Sequence, residues 1–345
     1  KFKKEEMGKI SVVQWGTKHG HARGWLERLL ESKEIIFQGI YEPDEKRQNQ
    51  LIESEDKIWK DLNWLKTKEE FLKNKNIEIV FIEESNALSL EALEYCVKNN
   101  KHVLLDKPAG YNYKKFLKLV EIATTKNLIV EMGYMFRQHD GFSRIAKWSK
   151  SGKLGKIFMI RAHMSTNLPE KNPINNEISR EGLSKFSGGV LYDLGGHMLD
   201  QICWILGRPI KVTSFFKNNN SKNKNFIDNA VVILEFKNAM SIIDIAAMET
   251  TPPARRFEVY GSKGSAIMEP FEPAEKIRLC LEETFEDFKK GVNTVSINDV
   301  PRYHEPFKIF INRVLNNTTP IRESNHEILV QETLMRAIGE INEKI

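Results

Sequence analysis

Over residues 10–132 the chain alternates short apolar runs with stretches of helical periodicity. The run at 10–15 predicts a buried strand, 16–21 a turn, 22–30 a helix, and 35–41 a second strand that ends at Glu42. The alternation continues with a helix at 68–74, a strand at 77–82, a helix at 89–99, a strand at 102–105, a helix at 113–126 and a strand at 128–132. Strands separated by helices of this length build a parallel sheet covered on both faces.

Beyond Tyr134 the period changes. A helix is expected at 143–151, a half-exposed strand at 156–165 and a helix at 194–206. Strand-like runs follow at 212–216, 230–236, 240–248, 256–260 and 265–269, joined by short turns such as 237–238 and 261–264. Runs so connected predict an antiparallel sheet. Helices at 306–316 and 325–343 close the pattern. The polar stretch 218–225, rich in asparagine and lysine, reads as a loop without a packing signal.

The densest chemistry lies at 188–200. Asp193 and His197 stand four apart and Asp200 three further on, so a helix would place all three on one face. Gly188, Gly189, Gly195 and Gly196 crowd the same segment. Each glycine inside a helix costs about 1 kcal/mol against alanine, so a close backbone approach is expected there. A carboxylate and an imidazole on such a face suit proton transfer. The plainer alternative is an N-capping Asp and a core His.

The turn after the first strand is a partial match to the G-x-G-x-x-G phosphate loop. Gly16 holds the first position, Lys18 and His21 replace the later glycines, and Gly20 and Gly24 are displaced. Phosphates could still meet the helix start near Gly20 and His21, with Lys18 or His19 approaching them. Glu42 stands where a carboxylate accepts adenosine ribose hydroxyls, which favours NAD over NADP; Arg47 nearby moderates that preference. Asp106-Lys107-Pro108 follows a buried strand directly, and a lysine at such a strand end faces the ligand crevice of a parallel sheet.

The composition narrows the partners. The 345 residues are 41% hydrophobic and 29% charged, as in soluble proteins with real cores. No apolar run approaches the roughly 20 residues of a membrane span. The charged opening, Lys1 to Glu6, leads into no apolar segment, so no secretory signal is expected. Three scattered cysteines argue against disulfides or a zinc site, and no metal is expected; a cytoplasmic setting fits. The net charge of +5 comes from dispersed lysines balanced by glutamates, which excludes a nucleic-acid stripe.

Taken with their spacing, these motifs resemble the glucose–fructose oxidoreductase/inositol dehydrogenase/MocA (Gfo/Idh/MocA) family over nearly the whole chain. Asp106-Lys107-Pro108 is similar to its E-K-P motif, with Asp for Glu. Gly188, Gly189, Asp193, Gly195, His197 and Asp200 match G-G-x-x-x-D-x-G-x-H-x-x-D. Residues 228–236 resemble its D-x-A-x-V-x-x-x-F segment, and 261–264 its G-x-x-G turn. Glu84-Ser85-Asn86 departs from the family's T-P-N but keeps the Asn.

The resemblance implies an α/β fold: a doubly wound Rossmann domain over 7–133, and a second α/β domain on a large, mostly antiparallel open sheet over 134–345, whose last helix is free to pack back on the first. It implies a dehydrogenase acting on a sugar, cyclitol or sugar derivative. His197 would take the hydroxyl proton, Lys107 would stabilise the oxygen, and Asp193 would bind substrate or tune His197; Lys107 as the base is the alternative. Gly16, Lys18, His19, Gly20, His21, Glu42, Asn86, Asp106, Lys107 and Pro108 would line the cofactor. Tyr134, Arg137, His163 and Tyr303 are weaker substrate candidates, for which packing is an equal explanation. The implied assembly is a homodimer or homotetramer. An NAD-retaining glycosidase and a non-catalytic dinucleotide sensor are the rival functions.

Overall fold

The computed structural model describes residues 9–298 and 300–342. The charged opening, the domain limits at 7 and 345 and the expected helix end at 343 lie outside them. Two compact units divide the chain: one runs to Gly133 and includes Tyr303–Ser324, the other holds Tyr134–Arg302 and the residues from Asn325 on.

The first unit contains β1 (Ile10–Trp15), α1 (Ala22–Glu31), β2 (Ile35–Tyr41), α2 (Glu45–Glu53), β3 (Trp64–Leu65), α3 (Glu69–Leu72), β4 (Ile77–Ile82), α4 (Ser89–Lys98), β5 (His102–Leu105), α5 (Tyr113–Thr125) and β6 (Val130–Met132). The sheet is parallel throughout, in the order β3-β2-β1-β4-β5-β6. The order reverses at β1 and β4, so a crevice opens beyond their carboxyl ends. All six residues of β1 are buried, as expected for a strand covered on both faces. α1 buries Ala22, Trp25, Leu26 and Leu29, a single helical stripe.

The second unit contains α6 (Asp140–Lys150), β7 (Ile157–His163), α7 (Arg180–Leu183), α8 (Val190–Leu206), β8 (Lys211–Lys217), β9 (Asn229–Glu235), β10 (Met240–Ala246), β11 (Arg256–Gly261), β12 (Gly264–Met268), β13 (Lys276–Leu281) and β14 (Gly291–Ser296). The chain then returns to the first unit with α9 (His304–Asn316). There Phe307, Phe310 and Ile311 join Trp25, Phe81 and Leu104 in one core cluster. The final helix, α10 (Ser324–Ala337), falls almost wholly within the second unit.

The second sheet runs β14-β13-β12-β11-β7-β10-β9-β8, with β7 and β10 parallel and the other pairs antiparallel. The sequence pattern did not mark β13 and β14. Ile277, Leu279 and Leu281 do alternate inward on β13, but Lys276 before them and Arg278 between the first two mask the signal. The 218–225 loop is also more ordered than its composition predicts. The buried carboxylate of Asp228 accepts the backbone N–H groups of Asn219, Asn220 and Ser221, each at 2.8 Å.

α8 begins at Val190, four residues before the predicted start, with Gly189 as its N-cap at φ 48°. Asp193 therefore sits in the first turn rather than at the cap. The glycines admit the protein's own chain: a Cβ on Gly189 would lie 2.4 Å from the carbonyl oxygen of Ile227, and one on Gly196 would lie 2.9 Å from the Tyr134 hydroxyl. Among the described residues no helix is long and apolar enough to cross a membrane, and all three cysteines are free.

Candidate functional site

In the first unit the residues of interest gather at the ends of β1, β2, β4 and β5. Gly16, at φ 86°, lets the turn press on the end of β4; a Cβ there would lie 2.7 Å from Glu84 Cα. Beyond it the Thr17 hydroxyl donates to Glu42 Oε2 at 2.6 Å, and the Asp44 N–H donates to Glu42 Oε1 at 3.0 Å. Glu42 is thus buried and held rigidly at the end of β2. Arg47 points at Thr17, donating to its hydroxyl and carbonyl at 3.3 Å. Lys18 pairs with Asp44 at 2.9 Å.

His19, His21 and Asp106 form a tight cluster. His19 Nε2 lies 2.8 Å from the Lys107 carbonyl oxygen, and its Nδ1 accepts the His21 N–H at 3.2 Å. The same Nδ1 faces Asp106 Oδ2 at 3.3 Å and Glu83 Oε2 at 3.5 Å. His21 Nδ1 lies 3.0 Å from both Asp106 oxygens. Trp25 Nε1 and the Lys107 N–H donate to Asp106 at 2.8 and 2.7 Å.

Burial alone would lower His19, but the carboxylates of Asp106 and Glu83 raise its pKa to about 10. Burial wins at His21 and lowers it to about 4. Burial and the neighbouring Asp106 charge push Glu83 well up, whereas the two imidazoles overcome burial at Asp106 and hold it well down. Gly20 is exposed at the tip of the turn; Lys107 and Pro108 are buried directly after Asp106. Asn86 is buried too, and its Oδ1 has no hydrogen-bond partner among the described residues. Nothing in the sequence pattern marked Glu83 or Trp25, because their relevance arises only when β4 and α1 meet β5.

In the second unit, Asp193 and His197 lie one turn apart on α8. Asp193 is half-buried, while His197 is buried with its ring 5.8 Å from that of Tyr134 and 5.3 Å from that of Phe136. Asp200, the third residue of that face, is engaged elsewhere. It accepts Arg137 Nε at 3.0 Å, Arg137 Nη2 at 2.8 Å and His326 Nε2 at 2.9 Å. Glu327 takes Arg137 Nη1 at 2.6 Å and Nη2 at 2.5 Å. Burial opposes the Arg137 charge, but these two carboxylates raise its pKa further. The guanidinium is therefore a strut between the short turn Met135–Gln138, α8 and α10. Sequence alone did not pair Arg137 with Glu327 across 190 positions.

The other substrate candidates are scattered. His163 on β7 pairs with Asp244, and its Nε2 lies 3.0 Å from Glu249. The Asp244 hydrogen bond is the main cause of its raised pKa. Tyr303 belongs to the first unit, with its ring 4.8 Å from Trp25 and 5.6 Å from His21. Gly24 is small for that reason: a Cβ there would meet the Tyr303 ring at 2.3 Å.

Comparison with known proteins adds the family. Residues 13–134 match the oxidoreductase family with an NAD-binding Rossmann fold, and residues 142–267 match the GFO/IDH/MocA C-terminal domain. The chain is 24% identical over 263 residues to myo-inositol 2-dehydrogenase of Thermotoga maritima, covering 75% of this chain and 73% of that one. Three uncharacterized oxidoreductases are matched over 56%, 57% and 59% of their lengths. GenD2 from gentamicin A biosynthesis, solved with NAD, shares the fold at TM-score 0.76 and 18% identity, over 96% of this chain and 94% of that one. KijD10, a 3-ketoreductase from Actinomadura kijaniata solved with TDP-benzene and NADP, does so at TM-score 0.73 and 15% identity, over 96% and 97%.

Proposed function

Because the chain belongs to the Gfo/Idh/MocA family of NAD-binding oxidoreductases, we propose that it is a dehydrogenase acting on a secondary alcohol of a sugar, cyclitol or sugar derivative, with NAD preferred to NADP. The observation that carries this reading is the pair of motif sites: Lys107 at the end of β5, and Asp193 with His197 on α8. The name of the Thermotoga relative supports a cyclitol or related polyol as substrate.

The residues suit the dinucleotide at both ends. Glu42 offers a fixed carboxylate to ribose hydroxyls, and Arg47, turned to Thr17, is not presented to a 2′-phosphate. The buried Asn86 Oδ1 has no hydrogen-bond partner among the described residues and suits the amide of a nicotinamide. A bound nicotinamide supplies the hydride acceptor. His197 takes the hydroxyl proton at its imidazole, the Lys107 ammonium stabilises the charge that develops on the oxygen, and Asp193 orients the imidazole or a second hydroxyl. The Tyr134 and Phe136 rings beside His197 keep water from it.

Two further features belong to this reading. The free cysteines Cys96, Cys203 and Cys280 suit a chain in a reducing cytoplasm. Phe215, Met240 and Val292 are exposed on one face of the second sheet and suit a homodimer or homotetramer.

The test is a panel of cyclitols and sugars with NAD, followed by NADH absorbance. The expected result is turnover with at least one polyol, lost in Lys107→Met and His197→Ala although both still bind NAD. Turnover undiminished in both variants would refute the assignment. Release of an aglycone without accumulating NADH would instead identify the glycosidase.

A further inference from the structure

The cluster at the ends of β1, β4 and β5 has the donor set of a metal site. One ligand atom from each of His19, His21 and Asp106 lies within 4.8 Å of the others. A tetrahedral zinc with bonds near 2.1 Å separates neighbouring ligand atoms by about 3.4 Å. The separations here are 3.0 Å for His21–Asp106, 3.3 Å for His19–Asp106 and 3.5 Å for His19–Glu83. Both imidazoles present Nδ1.

Three further observations point to a cation. Glu83 is fully buried, and neither of its carboxylate oxygens makes a hydrogen bond among the described residues, although Oε2 faces His19. Two buried carboxyl groups, Glu83 and Asp106, lie together here, and a dication would offset the cost of burying them. The outer contacts are those that orient metal ligands. His19 Nε2 reaches the Lys107 carbonyl, which places a proton on Nε2 and makes Nδ1 the acceptor; a metal there would displace the His21 N–H that Nδ1 now accepts. Trp25 and the Lys107 N–H brace Asp106 from behind. His21 remains partly exposed beside the exposed Gly20, which provides an entry path.

We propose that His19, His21 and Asp106 bind one borderline transition-metal dication, with Glu83 as a second carboxylate beside His19 and zinc the best match to imidazole and carboxylate donors. The ion ties the ends of β1, β4 and β5 to the start of α1. The alternative is that an imidazolium at His19 balances the carboxylates and no metal enters. Neither depends on the substrate or on the cofactor preference.

The experiment titrates the purified, chelator-treated full chain with CoCl₂, then displaces cobalt with ZnCl₂. The expected result is one ion per chain with the intense visible bands of tetrahedral cobalt, weakened at least about 100-fold in His21→Gln, since even loss of an outer contact costs 10–100-fold. X-ray absorption of the zinc-loaded wild type gives an answer that needs no variant. Nitrogen and oxygen neighbours with two imidazoles support the site. Absence of binding, a shell without imidazole, or binding undiminished in His21→Gln would overturn it and leave the imidazolium cluster.

Discussion

The turn after β1 and the start of α8 are both glycine-rich segments opening a helix, yet they differ in what their polar groups do. In the first, His19, His21 and Asp106 face one another in a single knot, with Glu83 against His19. In the second, the motif divides. Asp193 and His197 lie one turn apart, while Asp200 is locked to Arg137 and His326. Residues that share a helix face in sequence therefore need not share a task. The glycines follow the same logic. Those of α8 make room for Ile227 and Tyr134, and Gly24 makes room for Tyr303.

This division can be broken experimentally. The largest effect is expected for His197→Ala, which should lower kcat by about 100- to 10,000-fold while the melting temperature stays near wild type. Steady-state kinetics with a polyol found in the substrate panel, beside thermal melts, checks both parts. Arg137→Met should show the opposite pattern. It removes the buried cation shared by Asp200 and Glu327 and should cost about 3–5 kcal/mol of stability, read by urea unfolding. Equal kinetic defects without loss of stability would erase the distinction between the two faces of α8.

A smaller loss is expected at the loop around Asp228. Asp228→Ala orphans three backbone N–H groups and should destabilise by about 1–3 kcal/mol, with kcat unchanged in the surviving folded protein. The smallest effect concerns pH. His163 has a raised folded-state pKa through Asp244, so its contribution is complete below its unfolded value near 6.5 and declines as pH rises through the folded value. His163→Gln should flatten the decline above pH 6.5 and lower stability most below it, where the lost contribution is complete, as thermal melts across pH would show.

The fold was legible where periodicity was strong. The parallel sheet follows from alternating apolar runs, and α1 from its Ala22, Trp25, Leu26, Leu29 stripe. It was hidden where charge interrupts alternation, as in β13, or where one buried carboxylate organises a polar loop, as at Asp228. At the sites, motif spacing marked Lys107, Asp193 and His197. It did not reveal that Glu83 faces His19, or that Glu327 clamps Arg137, because those pairs are made by topology across 64 and 190 positions. The return of Tyr303–Ser324 to the first unit was equally invisible, since α9 has the ordinary amphipathic pattern of any packed helix.

The central claim is that the first unit holds NAD through Glu42. Calorimetric titration of the cofactor-free protein with NAD and NADP tests it most directly. Micromolar binding of NAD, at least about tenfold tighter than NADP and losing that margin in Glu42→Gln, is the result expected from a charged hydrogen-bond acceptor worth about 1.5–3 kcal/mol. Binding of neither dinucleotide would contradict the account.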